Sequence, residues 1–388
     1  MRNLLAIERS VVRVSSTEVP DLPLTAVAWD PAADSLICTH GPSVVEALIE
    51  LKRVTKNGQA VNIASWDTPC PSPTLPCDRV LDLHYFSDTL STCVILAGGD
   101  IIVIKEDPIP GENKIEIVGS VDEGITAAAW SPDEEVLAIT TGASTFLLMT
   151  RGFEPIKDVT LSPSDLNASK HVSVGWGKSE TQFKGKRAKA MRDPTVPEKI
   201  DEGVLSPYDD DVTQISWRGD GTYLAISTVE ESQRRLIRVY SRDGSLDSVS
   251  EPVDGLEGPL SWRPAGNLMA GIQRFPDRLD VVFFERNGLR HGEFTLRIAP
   301  EKVPDENILE LIWNGDSSVL AICFKDKVQL WSIGNYHWYL KQELLFPDEL
   351  KVGLHGLVVQ WHPESPLRLA VGMKGSYFLR VRNRGRLG

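Results

Sequence analysis

One hydrophobic pattern recurs along the chain: an apolar residue, an aromatic residue five positions later, a short polar turn, then an apolar pair of the Leu-Ala kind. Ile125 leads to Trp130, Ser131-Pro132-Asp133 and Leu137-Ala138; Val212 leads to Trp217, Gly219-Asp220-Gly221 and Leu224-Ala225; Ile308 leads to Trp313, Gly315-Asp316 and Leu320-Ala321. Looser copies centre on Trp29, Trp262 and Trp361, and a weak one on Tyr85, after Val80 and before Val94. The aromatic segment reads as a partly buried strand and the Leu-Ala segment as an inner strand. A third segment alternates, as in Lys327–Trp331, Ile237–Tyr240 and Tyr377–Val381. Such alternation predicts a strand with one wet face.

The aromatic positions 29, 85, 130, 217, 262, 313 and 361 stand 56, 45, 87, 45, 51 and 48 residues apart. A blade of the WD40 type takes about 40–45 residues, so each gap but one is close to a single blade. The 87-residue gap is one blade plus a long insertion. The expectation is an all-β, seven-bladed, WD40-like β-propeller filling residues 1–388 as one domain, with an insertion loop at 162–211. Asn3–Ile7 is strand-like and precedes the first repeat, so the N-terminal segment is expected to supply the fourth strand of the last blade. That closure would remove open sheet edges.

Composition agrees. Glycine (30) and proline (25) suit many short strands joined by turns. The hydrophobic share of 41% is enough for a sizeable core. A formal charge of −13 makes the chain as a whole repel nucleic acid. Five irregularly spaced cysteines (38, 70, 77, 93, 323) fit free thiols in a reducing compartment. Arg2 and Glu8 interrupt the apolar start, so no secretory leader is expected, and no apolar run reaches the length of a membrane span. The expected location is the cytoplasm, with the nucleus also open to it.

The insertion reverses the charge balance. Between Lys170 and Lys199, eight basic residues face three acidic ones, a net +5. Lys178, Lys184, Lys186, Arg187, Lys189 and Arg192 are the candidate partner- or RNA-binding residues, since clustered cations neutralise phosphates or acidic protein surfaces. Trp176 and Phe183 could stack on a base. A solvated loop is the plainer alternative. Asp201, Glu202 and Asp209–Asp211 follow at once.

No reactive constellation is legible. Gly177-Lys178-Ser179 resembles the end of a P-loop, but Val172 stands where its first glycine is required. Gly142-Ala143-Ser144 begins like a nucleophile elbow, but Phe146 replaces its closing glycine. The seven histidines (40, 84, 171, 291, 337, 355, 362) lack metal-ligand spacing, and Cys70 and Cys77 have no second ligand pair. Neither metal nor cofactor is expected. Arg380, Arg382, Arg384 and Arg386 alternate, and read as a strand leaving the domain into a frayed end.

Several segments are more specific than a generic repeat: His171–Lys186, Arg192–Gly203, Ser216–Tyr223, Ile237–Arg242, Glu251–Gly258, Ser261–Asn267, Phe284–Phe294 and the opening Met1-Arg-Asn-Leu. They resemble the N-terminal propeller of the largest subunit of Elongator. The resemblance covers nearly the whole chain. It implies a non-catalytic scaffold in the complex that installs carboxymethyl-type groups at C5 of tRNA wobble uridines. The implied partners are the catalytic subunit, with radical S-adenosylmethionine and acetyltransferase domains, and a second propeller subunit. It carries over no catalytic residue. Family members continue into a second propeller, helical repeats and a dimerisation region, which this chain lacks, so a fragment or truncated product is expected. Direct tRNA binding through the basic insertion is the alternative function.

Overall fold

Each repeat folds as a four-stranded antiparallel meander, because every polar turn after an aromatic strand reverses the chain. A computed structural model describes residues 7–13, 22–55, 57–69, 77–168, 201–230, 232–345, 358–373 and 377–383. The first sheet comprises β2 (Leu24–Asp30), β3 (Ser35–His40), β4 (Leu48–Val54) and β5 (Ala60–Asp67). The second comprises β6 (Val80–Phe86), β7 (Ser91–Leu96), β8 (Asp100–Lys105) and β9 (Ile115–Ser120). The third comprises β10 (Ile125–Trp130), β11 (Val136–Thr141), β12 (Thr145–Thr150) and β13 (Pro155–Thr160). The fourth comprises β14 (Gln214–Trp217), β15 (Tyr223–Glu230), β16 (Arg234–Ser241) and β17 (Leu246–Val249). The fifth comprises β18 (Leu256–Trp262), β19 (Leu268–Arg274), β20 (Leu279–Glu285) and β21 (Arg290–Thr295). The sixth comprises β22 (Ile308–Trp313), β23 (Leu320–Phe324), β24 (Lys327–Gly334) and β25 (His337–Leu345). The seventh comprises β26 (Val358–Trp361), β27 (Arg368–Met373), β28 (Tyr377–Asn383) and, from the other end of the chain, β1 (Ile7–Arg13). Seven such sheets are the blade set of a seven-bladed β-propeller.

The closing strand lies further along than the sequence suggests. It runs over Ile7–Arg13 and pairs antiparallel with β28, from Ile7 opposite Asn383 to Arg13 opposite Tyr377. Residues 3–6 lie outside the described residues. Arg380 and Arg382 do not mark a departing end: β28 is paired on both sides, to β1 and to β27.

The chain divides into two compact units. Residues 1–158 with 307–388 hold five sheets, and residues 159–306 hold the fourth and fifth. In the first unit the aromatic markers pack between successive sheets. Trp361 of β26 joins the core with Val319, Leu330 and Leu369, and Tyr85 packs with Ile37, Ile49 and Val94. Two indoles also staple neighbours through their polar edge. Trp29 Nε1 donates to the Gln360 carbonyl at 3.3 Å, and Trp361 Nε1 donates to the Ile312 carbonyl at 3.2 Å. Each acceptor is the residue just before the neighbouring sheet's own marker, Trp361 of the seventh sheet and Trp313 of the sixth. All seven marker aromatics are buried.

One expectation needs correcting. Two of the third strands are not wet on one face as expected: β16 is almost wholly buried, including Arg238, and Gln329 of β24 is buried too, while the side chains of Tyr377–Val381 lie outside the described residues. In the third sheet the wet strand is the fourth, β13, which is exposed along nearly its whole length. Alternation in the third strand reflects polar groups that are buried and satisfied. Gln329 donates to Glu343 at 2.7 Å and accepts from Trp331 Nε1 at 3.0 Å.

Candidate partner interface

The six basic residues singled out in the insertion, Lys178, Lys184, Lys186, Arg187, Lys189 and Arg192, lie outside the described residues, as do Trp176 and Phe183. What the structure describes is how the insertion is rooted. β13 ends at Thr160 and β14 begins at Gln214. Between them, a 3₁₀ helix, Pro163–Ala168, and the strap at 201–213 are described.

Both roots land on one strand. β16 buries two guanidinium groups, and a buried cation must be met by anions and hydrogen-bond acceptors. Arg235 grips the outgoing root: it donates to both Asp209 carboxylate oxygens at 2.7 and 2.6 Å, to the Val212 carbonyl at 2.9 Å and to Ser227 Oγ at 3.2 Å. Arg238 grips the incoming root: it donates to Asp165 at 3.1 Å and the Ser162 carbonyl at 3.2 Å. Glu230 at 3.0 Å and Thr228 Oγ1 at 2.8 Å complete its shell. Asp165 and Asp209, far apart in sequence, are thus held by arginines three positions apart.

The fifth sheet contributes a second grip. Asp254 Oδ1 accepts from three successive backbone N–H groups, those of Glu202, Gly203 and Val204, at 2.9, 2.9 and 3.1 Å. This is the backbone-nest geometry that suits an anion. Buried Glu257 takes the Ser206 hydroxyl at 2.8 Å and pairs with Arg274. Arg274 also donates to the Val303 and Glu306 carbonyls at 2.6 and 2.8 Å and lies 4.7 Å from the Tyr208 ring centre. The strap keeps Val204 and Tyr208 in solvent, 59% and 48% exposed.

Sequence reasoning did not single out Arg235, Arg238, Asp254, Glu257 or Arg274 as functional positions. A signal existed: Arg238 falls within Ile237–Arg242, and Asp254 and Glu257 within Glu251–Gly258, both segments that carried the family resemblance.

The other candidate groups are occupied by structure. Ser144 sits in the β11–β12 turn at φ 57°, and Phe146 is fully buried. His362 Nδ1 accepts from the N–H groups of Glu364 and Ser365, both at 3.1 Å, and its ring lies 4.7 Å from Trp29. His84 pairs with Glu134 at 3.1 Å and His291 with Glu285 at 2.8 Å. Burial pushes the Cys38 thiol up to about 12 and raises those of Cys93 and Cys323, so all three stay protonated. Cys70, His171 and His355 lie outside the described residues. Among the described residues no group of three His, Cys, Asp or Glu is placed to hold a metal ion, and no helix is long and apolar enough to cross a membrane.

The chain matches the family model described as "ELP1 first N-terminal beta-propeller" over residues 1–364. It is 44% identical over 348 residues to Elongator complex protein 1 of Schizosaccharomyces pombe, covering 88% of this chain and 27% of that protein. It is 39% identical over 411 residues to the Saccharomyces cerevisiae protein of the same name, covering 95% and 29%. With the Mus musculus protein it shares 42% over 312 residues, covering 77% and 22%. The chain therefore spans about a quarter of the length of these curated relatives. Among solved structures, a chain of "Crystal Structure of Mitotic Checkpoint Complex" aligns over 100% of this chain and 96% of its own, with a TM-score of 0.58 and 11% identity, a likeness of fold alone.

Proposed function

The chain belongs to the ELP1 first N-terminal beta-propeller family, and on that premise we propose that it is a non-catalytic scaffold propeller of the Elongator complex, acting in tRNA wobble-uridine modification. The observation that carries this reading is the 44% and 39% identity, over 88% and 95% of the chain, to two proteins named Elongator complex protein 1. The rooting of the insertion supports it: buried ion pairs spent on one loop's two ends fix where that loop emerges, which suits a surface that partners read. The proposed partners are the catalytic radical S-adenosylmethionine and acetyltransferase subunit and the second propeller subunit. The proposed location is the cytoplasm, with the nucleus also open to it. The chain needs no metal or cofactor of its own for this role.

Co-purification tests the reading. The chain is expected to retain one or both of these subunits through size exclusion at physiological salt; retention of neither overturns it. The net +5 of residues 170–199 keeps a second reading in view, direct tRNA binding. That reading requires tRNA affinity that falls steeply with salt and is lost when Lys184, Lys186, Arg187 and Lys189 are all changed to Glu.

A further inference from the structure

Near the start of the second sheet, the first sheet walls off a cavity of about 210 Å³. Three stretches line it: the β3–β4 connection at 42–47, Thr68 after β5, and Cys77-Asp78 before β6. Hydrogen bonds hold the walls. Ser43 and Glu46 exchange N–H to carbonyl bonds at 2.8 and 3.3 Å, and the Ala47 carbonyl accepts from the Thr68 N–H and hydroxyl, both at 2.9 Å. The space holds far more than one water. It falls short of the roughly 300–1,000 Å³ of drug-sized pockets, so it suits one side chain or a small ligand.

The charges lining this cavity all have one sign. Asp78 is only 4% exposed. Its Oδ1 accepts from the Arg79 and Gly98 N–H groups at 2.7 and 2.8 Å. Its Oδ2 meets no donor among the described residues and is left to the cavity. Burial raises this carboxyl above its usual range in spite of the two N–H groups. The Arg79 side chain forms no ion pair with it among the described residues. Glu46 is a second carboxylate on the wall, and no hydrogen bond or ion pair reaches its side chain among the described residues. No Lys, Arg or His is among the described lining residues, and Pro42, Val44, Val45 and Ala47 supply apolar surface. A buried anion calls for a cation, and apolar walls beside it suit a methylene stem. Asp78 has one oxygen to offer, not two. A guanidinium fork takes both oxygens of a carboxylate, whereas an ammonium acts as a point charge and needs one.

We propose that this cavity binds a primary alkylammonium group, the ammonium meeting Asp78 Oδ2 and Glu46 and the methylene stem lying on Val44 and Ala47. The group comes from a lysine of a protein partner or from a free aliphatic amine. The proposal does not depend on the scaffold reading. Calorimetric titration of the full chain tests it, with pentylammonium, pentan-1-ol, the peptide acetyl-Gly-Lys-Gly-amide and spermidine as probes. Pentylammonium is expected to saturate one site and to bind at least tenfold more tightly than pentan-1-ol. Asp78→Asn keeps an oxygen for both N–H groups, so it is expected to melt like the wild type and to bind pentylammonium at least tenfold more weakly. Glu46→Gln, on the turn, gives a second reading and is expected to lose at least threefold. Tighter binding of the peptide than of pentylammonium assigns the cavity to a protein lysine; tighter binding of spermidine assigns it to a free amine. Equal binding of pentan-1-ol, unchanged affinity in either folded variant, or no saturable binding of any amine overturns the proposal.

Discussion

Arg235 and Asp209 form a two-pronged ion pair, 2.7 and 2.6 Å, with the arginine side chain wholly buried and the aspartate 1% exposed. Removing Asp209 leaves the buried guanidinium, for a counter-charge, only the longer, solvent-exposed contact to Asp210 at 3.8 Å. Asp209→Ala is therefore expected to cost about 3–5 kcal/mol, and the double change Arg235→Met with Asp209→Leu to recover most of it. Denaturant unfolding of the three variants checks this. A single variant as stable as the wild type would show that water reaches the pair.

The Trp361 indole packs in an inter-sheet core and donates to the Ile312 carbonyl. Trp361→Ala is expected to cost about 3–5 kcal/mol, since it opens a ring-sized cavity. Trp361→Phe keeps most of the apolar volume and loses the hydrogen bond, at about 1 kcal/mol. The same Ala cost is expected for Trp130, Trp217 and Trp313. Equal losses for Trp361→Ala and Trp361→Phe would shift the weight from packing to the indole N–H.

Glu310 lies on β22 opposite Cys323, and no hydrogen bond or ion pair reaches its carboxylate among the described residues. Part of the residue still meets solvent, yet desolvation pushes the carboxyl from 4.5 up to about 8. The folded state thus holds this proton more tightly than the unfolded chain does. Its contribution is present below pH 4.5 and is lost as pH rises to 8. Glu310→Gln should match the wild type near pH 4 and exceed it above pH 8 by about 1–2 kcal/mol, the solvent access trimming the full shift. Stability curves of both proteins across that range test the sign; a constant difference would remove the carboxyl from the account.

Two left-handed glycines of the fifth sheet should differ sharply. A Cβ on Gly288 would stand 2.1 Å from the Val249 carbonyl oxygen, whereas one on Gly266 meets nothing within 4 Å. Gly266→Ala carries only the backbone penalty, about 1 kcal/mol. Gly288→Ala adds a clash with backbone that cannot step aside and should cost about 3 kcal/mol or more. Thermal melts of the pair suffice, and similar losses would mean that the Gly288 turn relaxes.

The repeat was legible because it follows from a local rule. Each blade needs a bulky aromatic between sheets, a reversal, and a strand apolar on both sides, and those needs are written at fixed spacing around residues such as Trp130 and Leu137-Ala138. Blade number could be read that way, and so could the use of the N-terminal segment as a closing strand, though not that strand's bounds. What the third strand's polar residues do could not be. Arg238 and Gln329 look wet in a linear alternation, because hydropathy records a side chain's cost in water or oil and not whether a carboxylate 73 residues away will meet it. Only the tertiary structure brings Asp165 and Asp209 to neighbouring arginines, and only there is the cost of burying each charge offset by a partner and its hydrogen bonds. That Glu46 and Asp78 line one cavity is likewise invisible in sequence, where they read as two more acids beside turns. Periodicity specifies what every repeat shares; the features peculiar to one repeat depend on contacts between residues the chain keeps far apart.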